Sequence, residues 1–159
     1  MQNHSTDKLA IILINYNNYK DTIDCIESIY KVSYNSKKII LVDNGSGNES
    51  SVYLQKSISE KGYELDFLQL ENNLGFAGGN NYAIQYAVNK GYRLFWLLNN
   101  DTEIDPDSIK PMVELITSDP QCGAVGSKIY YWNTDIIWSA GGFINKWTGQ
   151  SSVRGKNNT

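Results

Sequence analysis

The sequence predicts an α/β fold in which a mostly parallel sheet is flanked by helices on both faces. Short runs rich in Ile, Leu and Val alternate with segments whose apolar residues recur every three or four positions, at intervals of roughly 30 residues. The first run, 9–14, is continuously apolar, which is typical of a strand covered on both faces. Strands and helices in alternation indicate βαβ units and hence parallel pairing.

The first unit is the clearest in the sequence. A strand is predicted over 9–14, and Asn18 is placed to cap the helix that follows it. In that helix Ile23, Ile26 and Ile29 fall at three-residue spacing, so one face is expected to be buried.

Two further units follow the same pattern. A second strand is predicted over 39–42, and Ser46 with Glu49 has the spacing of a capping box that would begin the second helix. A third strand, predicted over 63–70, leads through a glycine-rich segment into a helix with an apolar stripe from Ala83 onwards.

The last third of the chain is less regular. A fourth strand is predicted over 92–98, and Asp105 followed by Pro106 predicts the cap and first position of a fourth helix. A fifth strand is predicted over 122–131, and an irregular or hairpin segment rich in Gly and Trp over 132–147.

Length and composition limit the classes of protein that fit. A chain of 159 residues suits one domain, predicted over 9–148 with polar tails at 1–8 and 149–159. The net charge of −3 and the scattered Lys and Arg argue against a nucleic-acid partner. The apolar runs are too short to cross a bilayer, and Cys25 and Cys122 lack metal or disulfide spacing. We therefore expect a cytoplasmic protein with reduced core thiols and no transmembrane segment in this chain.

Four polar segments each follow a predicted strand: 15–18, 43–46, 72–81 and 99–105. The carboxyl ends of parallel strands lie at one edge of a sheet, where α/β proteins bind their ligands. We therefore expect the four segments to converge on one site.

The segment after the fourth strand suggests a site for a divalent cation. Asp101 is the leading ligand, since Mg²⁺ and similar ions take one or two carboxylates together with diphosphate oxygens and water. Asp43, at the end of the second strand, is placed to accept a hydrogen bond from a base or ribose. Turn and capping chemistry would explain both aspartates equally well.

A family resemblance rests on four segments in order: 12–17, 41–46, 72–81 and 97–101. They resemble the successive motifs of family 2 glycosyltransferases, most of all the rhamnosyltransferase-like branch, and the likeness runs from Leu9 to about Phe143. The resemblance implies a GT-A (Rossmann-like) fold and an inverting, metal-assisted transfer of sugar from a UDP- or dTDP-sugar.

The resemblance also implies the acceptor, the ion and the location. The acceptor would be a glycan, a lipid-linked saccharide or a polysaccharide, in the assembly of cell-surface glycans. The ion would be Mn²⁺ or Mg²⁺. The full-length enzyme would be cytoplasmic, with a peripheral position at the inner membrane face as a further expectation.

Carried over position by position, the resemblance assigns site residues. Asn99 and Asp101 occupy the two ends of the DxD motif and would bind the metal, although Asn99 lacks the charge of the usual aspartate. The nucleotide-sugar site would comprise Asn15, Tyr16, Asp43, Asn73, Gly75, Gly78, Gly79, Asn80, Asn99, Asn100 and Asp101.

No residue is assigned as the general base that inversion needs. The family's carboxylate is expected beyond the end of this chain, and Asp135 is a poor substitute because it lies far from any recognisable motif. We therefore expect donor binding without strong transferase activity from these 159 residues.

Other nucleotide-using functions are weighed against this one. A dehydrogenase would show a glycine fingerprint after the first strand, where 15–18 contains no glycine. A sugar nucleotidyltransferase would show a glycine-rich basic loop at the same place. A non-catalytic nucleotide-binding or scaffold domain of the same fold stays open, and metal-dependent binding of a nucleoside diphosphate would distinguish it.

Overall fold

The computed structural model describes residues 8–159, so the predicted N-terminal tail lies outside the described residues except for Lys8. The chain divides into two compact units after Pro106. The alternation of strands and helices predicted for the first unit is confirmed. Its elements are β1 (Leu9–Asn15), α1 (Tyr19–Tyr30), β2 (Lys37–Asp43), α2 (Ser50–Lys61), β3 (Asp66–Gln69), α3 (Gly75–Asn89) and β4 (Leu94–Leu98).

The first unit contains a sheet of four parallel strands in the order β3-β2-β1-β4. The register of β1 against β2 runs from the pair Leu9 and Lys37 to the pair Asn15 and Asp43. All four strands therefore end at one edge of the sheet, and two polar residues lie side by side where β1 and β2 end.

Helices cover both faces of this sheet. Ala10 and Ile12 of β1 pack with Ala83 and Ala87 of α3 in one buried cluster. The alternate residue Ile11 points to the opposite face and is fully buried, and α1 packs against β1 and α2. This continuous burial explains why the first strand is apolar at every position up to its last residue.

Two predicted helix starts need correction, the first of them at α2. This helix begins at Ser50, with Glu49 at the cap position and no side-chain cap bond, so the predicted capping box is absent. The Ser46 hydroxyl instead donates to a carboxylate oxygen of Asp43 at 2.7 Å. A buried carboxylate is a strong acceptor, and it takes the hydroxyl group that would have capped the helix.

The start of α1 is correctly predicted, although its cap differs in detail. Asn18 occupies the cap position of α1, but its side-chain amide donates to the carboxylate of Asp21 at 2.6 Å instead of binding the first backbone amides.

The second correction concerns α4 (Ile109–Ser118), which begins three residues after the predicted Pro106, with Ser108 at its cap position. Starting at Ile109 puts Pro111 in the first turn, where backbone amides have no intrahelical partner and proline is tolerated. A start at Pro106 would have placed Pro111 where a helical hydrogen bond is needed.

The second unit, 107–159, contains α4 and two short antiparallel pairs. The predicted fifth strand is wrong over most of 122–131, because only β5 (Ile129–Tyr130) forms a strand, which pairs with β6 (Ile137–Ser139). Gly123 and Gly126 weaken the strand tendency of the earlier part.

The expected hairpin character of 132–147 is confirmed in part, since β7 (Gly142–Ile144) pairs antiparallel with β8 (Ser151–Val153). Cys122 is half-exposed, not a core thiol as predicted, and only Cys25 is buried. Over residues 8–159, no helix combines the length and the apolar character needed to cross a membrane.

Candidate functional site

A cleft of about 530 Å³ lies at the carboxyl ends of the four parallel strands, entirely within the first unit. Its size is typical of small-molecule sites. Residues following all four strands contribute to its walls, as the sequence predicts. The lining consists of Ile14, Tyr16, Asn18, Asn44, Asn73, Gly75, Phe76, Leu98, Asn99, Asn100 and Asp101.

One wall is the β3–α3 turn, residues 72–76, and the side chain of Asn44 fastens it. The Asn44 amide donates to Oδ1 of Asn73 at 2.9 Å and to the Gly75 carbonyl at 3.1 Å. Its own oxygen accepts the Leu74 amide at 3.0 Å. Because Asn44 is only 2% exposed, these bonds form in a site shielded from water and hold the turn in one conformation.

Close backbone packing at Gly45 holds the same turn. Gly45 has φ +71°, and a Cβ atom there would lie 2.4 Å from the carbonyl carbon of Asn72 and 2.6 Å from the nitrogen of Asn73. Neither the conformation nor the space accommodates a side chain. Glycine is therefore required where the loop after β2 meets the β3–α3 turn.

Asn15 and Asp43, both predicted to contact the nucleotide, are fully buried behind the cleft. The Asn15 amide donates to Oδ2 of Asp43 at 2.7 Å. The other carboxylate oxygen of Asp43 accepts the Ser46 backbone amide at 3.0 Å. In this conformation the two side chains organise the strand ends, and direct contact of Asp43 with a base or ribose stays a prediction.

The opposite wall is the Asp101 loop, residues 99–104, which follows β4. The side chains of Asn99 and Asp101 are exposed at the cleft. Asn100 is half-buried, and its amide donates to the Thr22 hydroxyl of α1 at 2.8 Å. Thr102 in turn donates its hydroxyl proton to the Asn99 carbonyl at 2.7 Å, which closes the start of the loop into a turn.

Cys25 of α1 packs under the Asp101 loop, with its sulfur 3.7 Å from the Asn99 carbonyl oxygen. Burial raises the pKa of the Cys25 thiol to about 11, against a smaller opposing effect of hydrogen bonding to Thr102. The thiol is therefore protonated at neutral pH and poorly reactive.

The residues at the cleft fit a hard divalent cation of the kind that the motif resemblance implies. Among residues 8–159 no group of three or more His, Cys, Asp or Glu side chains could enclose an ion. Asp101 offers one exposed carboxylate and Asn99 one amide oxygen. This donor set suits an ion that keeps waters and shares a ligand's diphosphate oxygens, as Mg²⁺ commonly does.

The structure brings together about half of the predicted nucleotide-sugar residues at the cleft wall: Tyr16, Asn73, Gly75, Asn99, Asn100 and Asp101. Gly78, Gly79 and Asn80 lie within α3 instead. Asn80 is 5% exposed and its amide donates to the Phe76 carbonyl at 2.8 Å, so it supports the first turns of that helix.

Sequence reasoning included Asn44 and Phe76 only as members of the converging segments 43–46 and 72–81, and it missed the role of Thr22. Successive side chains of a strand point to opposite faces of the sheet, so neighbouring residues at a strand end lie on different faces. Ile14 lies on the α3 side, and Asn15 and Asp43, paired in register, therefore fall on the α1 side, away from Asn44. The alternation separates Asn44 from Asp43, but which of the two lines the cleft follows only from the helix that packs on each face.

The fold resembles those of solved structures that include glycosyltransferases of the GT-A type. A mannosyltransferase, PcManGT from Pyrobaculum calidifontis in complex with GDP-Man and Mn²⁺, has a TM-score of 0.60 at 16% identity, covering 78% of this chain and 36% of that one. S. aureus TarS 1–349 in complex with UDP-GlcNAc has a TM-score of 0.56 at 18% identity, covering 80% and 41%. At these identities the likeness shows the fold.

Curated proteins related in sequence include polysaccharide synthases. Poly-beta-1,6-N-acetyl-D-glucosamine synthase of Staphylococcus epidermidis is 27% identical over 124 residues, which are 78% of this chain and 29% of the relative. The same synthase of Staphylococcus aureus strain COL is 29% identical over 117 residues, 74% and 27%. The chain thus spans less than a third of these relatives. The sequence model of glycosyl transferase family 2 matches residues 10–157, and the chain belongs to that family.

Proposed function

We propose that this chain binds a nucleoside diphosphate-sugar in its cleft and forms the donor-binding part of an inverting, metal-assisted glycosyltransferase. The observation that carries the proposal is the exposed carboxylate of Asp101 at the wall of a cleft whose other wall is ordered and neutral. Such a cleft can hold the uncharged part of a nucleotide against its neutral wall, while the Asp101 side faces the diphosphate.

Each wall has a proposed task. Tyr16 and Phe76 are 48% and 65% exposed, and their rings offer apolar surface for a base or sugar. Asn73 and Gly75, held in place by Asn44, would line the nucleoside. Asp43 and Asn15 would act on the same part of the ligand, either directly after a side-chain movement or by ordering the strand ends.

Asp101, assisted by Asn99, would hold a divalent cation. When bound, the cation would neutralise the charge that develops on the departing nucleoside diphosphate. The chain's own contribution is to fix the position of the Asp101 carboxylate through the loop that carries it. The uncharged Asn99 reduces the negative charge of the site, so we expect metal affinity to depend strongly on the presence of the diphosphate.

The substrate class is proposed from the relatives and from the motifs. UDP-GlcNAc and GDP-Man occur in the structures of fold neighbours, and the motifs resemble those of rhamnosyltransferase-like enzymes. We propose a UDP- or dTDP-sugar as donor and a growing glycan or polysaccharide as acceptor, with the enzyme acting at the inner membrane face. No residue of this chain is proposed as the general base.

Calorimetric titration of UDP, dTDP and GDP, each with and without Mn²⁺, tests this function. We expect Mn²⁺ to strengthen the binding of at least one of them roughly tenfold or more. Asp101→Ala should abolish the metal effect, while Glu103→Ala should keep it, because Glu103 is also exposed on the loop but does not line the cleft. Equal binding with and without metal in the unaltered protein would contradict the proposal.

A further inference from the structure

The geometry points to a positioning role for three small polar residues of α1, which rests on the proposed function and extends it. Thr22, Cys25 and Ser28, here called the α1 polar stripe, hold the Asp101 loop and thereby set the position of the Asp101 carboxylate. They are positioning residues, since none of the three lines the cleft.

The first contact of the stripe is made by the Thr22 hydroxyl. It accepts the Asn100 amide at 2.8 Å, and its proton is directed at the Asn18 carbonyl at 2.8 Å and at Oδ1 of Asn15 at 3.0 Å. One buried hydroxyl therefore joins the end of β1 to the residue immediately before Asp101.

The other two contacts follow at three-residue spacing along the same side of α1. The Cys25 thiol lies 3.7 Å from the Asn99 carbonyl oxygen, to which it donates a weak hydrogen bond. The Ser28 hydroxyl accepts the Ile104 backbone amide at 3.2 Å and donates its own proton to the Cys25 carbonyl at 2.7 Å. The stripe thus binds the loop near its beginning, before Asp101, and at its end.

The burial of the stripe distinguishes it from ordinary helix surface. Thr22, Cys25 and Ser28 are 0%, 1% and 2% exposed, and they alternate with the apolar residues Ile23, Ile26 and Ile29 that face the core. Buried polar groups are favourable only when they are hydrogen-bonded, and here both hydroxyls accept a hydrogen bond from the Asp101 loop in addition to donating to residues of β1 or of the α1 region. Replacing a stripe hydroxyl by an apolar group leaves the loop's amide groups without partners.

Hydrogen exchange in the ligand-free 159-residue chain tests the positioning of the loop without any nucleotide. Thr22→Val keeps the side-chain shape but removes the hydroxyl, and Ser28→Ala removes the acceptor of the Ile104 amide. Both should speed exchange over residues 99–104 roughly tenfold, whereas Thr22→Ser, which keeps the hydroxyl, should stay near the unaltered rate. Unchanged exchange in Ser28→Ala and in any folded Thr22→Val protein would overturn the inference.

Nucleotide titration then tests the functional consequence. Ser28→Ala, which leaves Asn15 and Asp43 untouched, should reduce the Mn²⁺-dependent gain in nucleoside diphosphate affinity roughly fivefold or more while leaving metal-free affinity within about twofold, and Thr22→Ser, which keeps its hydroxyl, should retain the gain. A purely structural role would lower both affinities together, and that result would overturn the inference. An unaltered protein without any Mn²⁺ effect would instead reject the proposed function, and the exchange experiment would still decide whether the stripe positions the loop.

Discussion

The two walls of the cleft are fastened from different parts of the fold. The β3–α3 turn is held by the loop after β2, through the Asn44 side chain and the close approach at Gly45. The Asp101 loop is held by α1, through hydrogen bonds to Thr22 and Ser28. The first wall presents neutral groups and the second an exposed carboxylate, so shape and charge are supplied by separately supported segments. Changes to one wall should therefore leave the function of the other largely intact.

Gly45→Ala, in the support of the β3–α3 turn, is expected to lower stability the most. The added Cβ would overlap the backbone of Asn72 and Asn73 and would sit on a residue with φ +71°. We expect a loss of roughly 2–4 kcal/mol in the free energy of unfolding, measured by urea denaturation.

Gly47→Ala is the matched control, since no atom lies within 4 Å of a Cβ placed there and the residue is exposed. It should change the unfolding free energy by no more than about 0.5 kcal/mol. Equal stability of the two variants would mean that the β3–α3 turn is not fastened at Gly45.

A smaller effect is expected from Asn44→Asp, which removes the donor to Asn73 and Gly75 while keeping the acceptor for the Leu74 amide. The loss of two buried hydrogen bonds should cost roughly 1–3 kcal/mol of stability. Nucleoside diphosphate affinity should fall both with and without Mn²⁺. Asn89→Asp, at the exposed end of α3, provides the same chemical change away from the cleft.

If Asn44→Asp removed only the Mn²⁺-dependent part of the affinity, it would be wrong to assign nucleoside binding to the β3–α3 turn and metal binding to the Asp101 loop. Calorimetric titrations of Asn44→Asp and Asp101→Ala side by side decide this, because the first should weaken binding in both conditions and the second only in the presence of the ion.

The smallest effect concerns Cys25. Its pKa is raised by burial to about 11 from an ordinary value of 9.0, so the folded state retains the proton that the unfolded state loses. The contribution of this pKa difference to the free energy of unfolding is complete below pH 9, and it is lost as the pH rises toward about 11. At pH 8 an alkylating reagent should modify the half-exposed Cys122 first and Cys25 only upon unfolding. Rapid alkylation of Cys25 in the folded protein would mean that the Asp101 loop does not cover it.

The parallel part of the fold could be predicted from the sequence because its strands are buried on both faces and its helices carry regular apolar stripes. Continuous runs such as β1 leave few alternatives. The second unit could not be predicted in the same way. Its strands are two or three residues long, and such short pairs depend on contacts between distant residues that local patterns do not encode.

The candidate site was predictable as a location but not in its details. The rule that ligands bind at the carboxyl ends of parallel strands placed Tyr16, Asn73 and Asp101 at one cleft. It did not separate Asp43 from Asn44, since adjacent residues at a strand end point to opposite sides. Which of them lines the cleft depends on the helix that packs on each face.

Paramagnetic broadening by Mn²⁺ in NMR spectra of the chain with a saturating nucleoside diphosphate tests the central claim most directly. The account predicts selective loss of the amide signals of residues 99–102 and of 73–76, because the ion and its ligand bridge the two walls. Signals near Lys61, at the far end of α2, should persist. Broadening that leaves residues 99–102 unaffected, or equal broadening in Asp101→Ala, would contradict the account.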